Sequence, residues 1–174
     1  LGRTGTLPVR IGQFLVVLVS MGSLMFFLGL FRKDFFSDNR KITLLLLLML
    51  LMLSAFSWAA KLGLFSVYLL PVCIVPVLVR AFFDTRLALF THLVLVLIAG
   101  FIVPGSFEFV FMQVIAGMTA IFSIVNLRNR SQLFVTCAYI LLAYAVTYTG
   151  VELVQHGSFS GIDWYNLRWF AGNA

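Results

Sequence analysis

From Ile42 to Ala60 the chain reads "ITLLLLLMLLMLSAFSWAA", with no charge, proline or glycine. Its central run, "LLLLLMLLML", shows no alternation and is too long for a buried strand. Runs of this length need a medium in which apolar side chains face outward. A membrane helix requires about 20 such residues. In hydrocarbon a helix bonds every backbone group within its own segment, so helices are the predicted element.

The same pattern recurs. Candidate spans are Ile11–Phe31, Ile42–Ala60, Leu62–Val79, Leu87–Val103, Phe107–Leu127 and Leu133–Val154, and a seventh begins near Trp164. Lys61 alone separates the second and third, which predicts a tight hairpin. Pro104-Gly105-Ser106 marks a turn between the fourth and fifth. Apolar residues make up 62% of the chain and charged residues 10%, against about 45–50% and about 25% in soluble domains. A water-soluble chain of 174 residues could not hide that much apolar surface. The fold class expected is all-α: a polytopic transmembrane helix bundle of six full spans plus the start of a seventh. Residues 1–174 read as a single transmembrane domain. The sequence opens on Leu1 and stops within the apolar stretch "NLRWFAGNA", so a piece of a longer protein is expected.

Charge predicts orientation. One set of loops holds Arg32, Lys33, Arg40, Lys41, Arg80, Arg86, Arg128 and Arg130, eight of the 12 basic residues; Arg3, Arg10, Lys61 and Arg168 fall on the other side. The richer side is cytoplasmic by the positive-inside rule. The N-terminus then lies outside and the C-terminal continuation in the cytoplasm.

The densest interruption is "LLPVCIVPVLVRAFFDTRLALFTHLVLVLIAGF", Leu69 to Phe101. Pro71 and Pro76 fall in the middle of the third expected span, where each removes a backbone donor. They read as a fixed packing kink or as a hinge. Arg80, Asp84 and Arg86 fall on the next cytoplasmic turn, and Arg80 and Asp84 share a face if the helix continues. They serve as interfacial anchors, with arginines reaching to headgroups, or as a docking point for a cytoplasmic domain.

Polar groups inside spans are the usual pointers to function, and few occur here. His92 reads as a neutral imidazole bonding a neighbouring helix, or as a proton or ligand site. Gln113 lies at similar depth from the outer end of its span. Glu108 reads as a helix-start carboxylate, favoured by the positive end of the helix, or as a partner for Lys61 or a ligand. Ala116 and Ala120, with Gly117 beside them, form a small-residue surface for close helix packing, and Gly22 and Gly29 lie one heptad apart. Such surfaces are compatible with a homo-oligomer. Cys73 and Cys137, both in apolar runs, read as small buried hydrophobes.

No P-loop, HExxH, CxxC or GxSxG is present. No catalytic residue, metal site or cofactor is expected in this chain. The net charge of +6 is explained by topology, so nucleic acid is not an expected partner.

The series "LPVCIVPVLVRAFFDTRLALFTHLVLVLIAGF" followed by "FEFVFMQVIAGMTAIFSIVNLRNRSQLF" resembles the membrane region of the seven-transmembrane receptors with an intracellular HD hydrolase, the PgpH-like proteins. The matching features are the proline-bearing third span and the Asp-x-Arg-x-Ala-Leu turn from Asp84 to Leu89. Phe107-Glu108-Phe109 opening the fifth span and Arg128-x-Arg130 closing it also match. The resemblance implies the bacterial inner membrane, an extracellular domain before the spans and a cytoplasmic, metal-dependent HD phosphohydrolase after them. In characterised members that hydrolase cleaves cyclic di-AMP. Coupling or ligand-binding candidates are Arg80, Asp84, Arg86, His92, Glu108, Gln113, Arg128 and Arg130. The leading reading is a sensory module that anchors and regulates that hydrolase. A small-molecule membrane carrier or substrate-binding membrane subunit is the alternative, and a membrane scaffold is a further rival.

Overall fold

A computed structural model describes residues 7–62, 69–103, 105–124 and 130–157. Every regular element among them is helical: α1 (Leu7–Phe31), α2 (Lys33–Phe36), α3 (Asn39–Leu62), α4 (Ile74–Phe82), α5 (Thr85–Gly100), α6 (Ser106–Ser123) and α7 (Arg130–His156). Among the described residues four stretches are long and apolar enough to cross a membrane: Leu7–Phe31, Asn39–Lys61, Ser106–Ser123 and Phe134–Gln155. The expected count of six full spans and the start of a seventh is therefore met only in part. Helix α5 has 16 residues, about 24 Å of rise against a hydrocarbon core of about 30 Å. The segment near Trp164 lies outside the described residues.

The third expected span is corrected. The helix does not run from Leu62 to Val79. It begins at Ile74, after a turn in which Val72 N–H bonds the Leu70 carbonyl and Ile74 N–H bonds that of Pro71. Pro71 thus precedes the helix and Pro76 occupies its first turn, where a missing N–H removes no intrahelical bond. The two prolines delay a helix start rather than bend a helix midway. Helix α3 runs through Lys61 to Leu62, and the hairpin expected there falls on residues 63–68, which lie outside the described part.

Helix boundaries follow local chemistry. Asp38 precedes α3 and its Oδ1 accepts the Arg40 backbone N–H at 3.1 Å, as a capping aspartate does. Asp84 does the same for α5, accepting from Arg86 N at 2.9 Å and Leu87 N at 3.0 Å. Gly105 enters α6 with φ 72°, in the left-handed region open to glycine. Gly157 closes α7 with φ 65° and returns its N–H to the Leu153 carbonyl at 3.0 Å.

Helix α5 is the centre of the bundle. It packs against α1, α3, α4 and α6, and Leu87, Ala88, Leu95, Val96 and Ala99 on it have no exposed surface. Helix α1 leans on α5 through Leu24, Leu28 and a stacked Phe27–Phe90 pair, ring centroids 4.4 Å apart. Phe56 of α3 meets Phe109 of α6 edge to face at 5.4 Å. Phe14, Leu18, Phe26 and Leu30 of α1 and Leu47, Leu50 and Leu51 of α3 are exposed. A one-sided helix with such an outer face is stable only against hydrocarbon. Among the described residues no neighbour packs closely on Gly22 or Gly29: a Cβ at either position meets nothing within 4 Å.

Candidate functional site

Two of the polar residues singled out in separate spans meet. His92 of α5 is fully buried, and its Nε2 lies 2.8 Å from the backbone carbonyl oxygen of Gln113 on α6. A carbonyl oxygen only accepts, so Nε2 carries the hydrogen and a neutral ring leaves Nδ1 as an acceptor. Such close approach to a helix backbone requires a missing side chain. Gly117 supplies it one turn further along α6, since a Cβ there would overlap the imidazole. The three small residues of α6 divide their work. Gly117 receives α5, while Ala116 and Ala120 pack in a cluster with Cys73 and with Ile140, Tyr144 and Tyr148 of α7.

The Gln113 side chain extends the contact to α7. Tyr144 donates its hydroxyl hydrogen to Gln113 Oε1 at 2.6 Å. The Cys73 sulfur lies 3.8 Å from the same hydroxyl oxygen, and because the phenol hydrogen is committed to Gln113, the thiol donates. A chain of four polar residues, Cys73–Tyr144–Gln113–His92, therefore joins the turn before α4 to α7, α6 and α5. It is incompletely satisfied. Among the described residues, His92 Nδ1, Gln113 Nε2 and the neighbouring Thr91 Oγ1 are buried and find no hydrogen-bond partner. Each such group costs about 1–3 kcal/mol. The satisfied part of a buried network of this kind helps to fix the register of the helices it joins.

At one end of the bundle Asp84 links the start of α5 to the junction of α1 and α2. Besides capping α5, it forms an ion pair with Arg32. This corrects the expectation that Arg80 and Asp84 share a helix face: α4 ends at Phe82, so the two lie on different elements. Arg80 is half-buried, its Nε finds no partner among the described residues, and Arg86 is exposed. Arg32, Phe35, Lys41, Phe82, Phe83 and Asp84 line a recess of about 280 Å³. Lys41 pairs with Asp38 at 3.3 Å. The Arg40 backbone N–H, and secondarily the Lys41 ammonium, hold the Asp38 carboxyl below its ordinary value. Arg130 opens α7, and Arg128 lies outside the described residues.

At the opposite end Glu108, in the first turn of α6, accepts from Gln155 Nε2 of α7 at 2.7 Å. Its partner is Gln155, not Lys61. Arg32, Tyr144 and Gln155 were missed by sequence reasoning, and Cys73 was read only as a small hydrophobe. One signal for Tyr144 was available. A tyrosine in mid-span, away from the interfacial belt, needs a buried hydroxyl partner.

A lipid-facing helical bundle with charged ends and a buried polar chain defines a multi-pass α-helical membrane protein. The sequence profile of one family, the 7TM receptor with intracellular HD hydrolase, matches residues 7–174, and the chain belongs to that family. No curated protein and no solved structure matches it.

Proposed function

We propose that this chain is the sensory, signal-transducing membrane part of a longer protein, and that it anchors and regulates a cytoplasmic HD phosphohydrolase acting on cyclic di-AMP. Family membership supports the pairing with a hydrolase. The observation that carries the coupling role is α5 itself. Its N-cap, Asp84, is tied to Arg32 at the junction of α1 and α2. Eight residues on, about 12 Å along the axis, His92 is bonded to α6. A shift between α5 and α6 at His92 thus reaches the basic end through a rigid element. That end, with Arg32, Lys33, Arg40, Lys41, Arg80 and Arg86, is assigned to the cytoplasm of a bacterial inner membrane. An extracellular domain would then precede Leu7. The carrier reading loses weight because His92 is bonded to the Gln113 carbonyl across the α5–α6 interface.

The test uses the full-length protein in bilayers. Arg80, Arg86, Arg128 and Arg130 are replaced together by Gln and cyclic di-AMP hydrolysis is measured. The expected result is an altered basal rate or an altered response to signal. Unchanged hydrolysis with an unchanged response overturns the coupling role, and absence of any hydrolysis in the wild type overturns the enzyme assignment.

A further inference from the structure

A groove of about 450 Å³ lies between α6 and α7, at the end of the bundle opposite the Arg32–Asp84 pair. Phe107, Phe111 and Ile115 of α6 form one wall, and Val146, Gly150 and Val154 of α7 the other. Its size falls within the range of about 300–1,000 Å³ typical of small-ligand sites, and its walls are almost wholly apolar. Phe107 and Phe111 stack at 6.1 Å and present an exposed aromatic face along it. Gly150 keeps the other wall low, since a Cβ there meets nothing within 4 Å.

Two polar residues interrupt this lining, the buried Thr147 and, near the end of α7, Gln155. Gln155 lines the groove and donates to Glu108 Oε1. A carboxylate offers about four acceptor sites, so the Gln155 bond leaves capacity for a further donor. Among the described residues no basic side chain lines the groove. The charge selects the occupant. An apolar slot whose lining residue Gln155 is bonded to a carboxylate suits a long acyl chain whose headgroup carries a protonated amine, and it disfavours a headgroup that is only anionic.

We propose that this groove binds phosphatidylethanolamine from the adjoining leaflet, one acyl chain lying between α6 and α7 and the ammonium bonded to Glu108. The site stands whether or not the hydrolase responds to it.

The test places the whole protein in bilayer discs of phosphatidylethanolamine and phosphatidylglycerol in equal parts. In separate samples one lipid or the other carries a diazirine in its acyl chain. After irradiation, labelled peptides are mapped by mass spectrometry. Around Phe111 and Val146 the ethanolamine lipid is expected to label several-fold more than the glycerol lipid. Glu108→Gln should bring the two to parity. Gly150→Phe should remove label from the groove while leaving that on the α1 face at Leu18 and Phe26, which reports a folded protein. Equal labelling by both lipids in the wild type overturns the proposal, as does groove label that persists in Gly150→Phe. So does a wild type with no label in the groove, the result expected if a second copy or another segment of the protein fills it.

Discussion

Gly117 lies directly against the His92 ring, so closely that a single methyl group on its Cα would overlap the imidazole. The Nε2 bond to the Gln113 carbonyl depends on that missing side chain. Gly117→Ala must therefore move His92 or separate α5 from α6. Overpacking of this kind costs about 1–3 kcal/mol, read as a lower midpoint of thermal unfolding in detergent micelles. His92→Ala should relieve the clash, so the double variant should cost less than the sum of the singles. Additive costs would show that the two residues do not meet.

Tyr144 and Gln113 should be coupled in the same sense. Tyr144→Phe removes the hydroxyl and leaves Gln113 Oε1 and the Cys73 thiol without their shared partner. Interhelical hydrogen bonds in membranes are worth about 0.6–2 kcal/mol, and a loss of that order is expected by unfolding in micelles. Gln113→Leu should be less costly in the Tyr144→Phe background than in the wild type. An equal cost in both backgrounds would break the chain between them.

Asp84 has two roles that substitution can separate. Asp84→Asn keeps a capping oxygen for the Arg86 and Leu87 amides and loses the charge facing Arg32. Asp84→Ala loses both. A cap is worth about 0.5–2 kcal/mol, whereas a partly exposed ion pair is worth about 0–1 kcal/mol. The alanine variant should therefore be clearly less stable than the asparagine variant, and Arg32→Gln should resemble the latter. The reverse order would make the ion pair, not the cap, the stronger contribution.

Asp38 gives the bundle an acid-sensitive corner. The Arg40 amide and Lys41 lower its folded pKa, so its contribution is fully present above the ordinary carboxylate value of about 4. It is lost as the pH falls through the lower folded value, because the unfolded chain then takes up the proton first. Asp38→Asn should flatten the acid side of a stability–pH profile measured in micelles. An unchanged slope would remove Asp38 from that profile.

Pro76 should be replaceable. Placed in the first turn of α4, it removes no intrahelical bond, and Pro76→Ala is expected to change stability by less than about 1 kcal/mol. A proline interrupting a helix interior costs about 3 kcal/mol, so a gain of that size on substitution would restore the mid-span placement.

The long apolar runs were legible because transfer of side chains into hydrocarbon depends on composition and length alone. Helices α1, α3, α6 and α7 match the expected spans within a few residues. The third span was misplaced for the same reason. Hydropathy weighs side chains and is blind to where two prolines let the backbone begin to coil, so "LLPVCIVPVLVR" read as one helix although only its second part is one. His92 and Gln113 stood out singly as polar groups in apolar surroundings. Their meeting did not, because 21 positions separate them and nothing local fixes the rotation of one helix about another.

The sequence by itself determined the solvent: with this many unbroken apolar runs, the chain must lie in hydrocarbon as helices, and its cations must gather at the ends. Only the tertiary structure decided which polar groups bond. Helix rotation and depth are set by how small residues such as Gly117 let two surfaces close, and that fit belongs to pairs of helices rather than to any one segment.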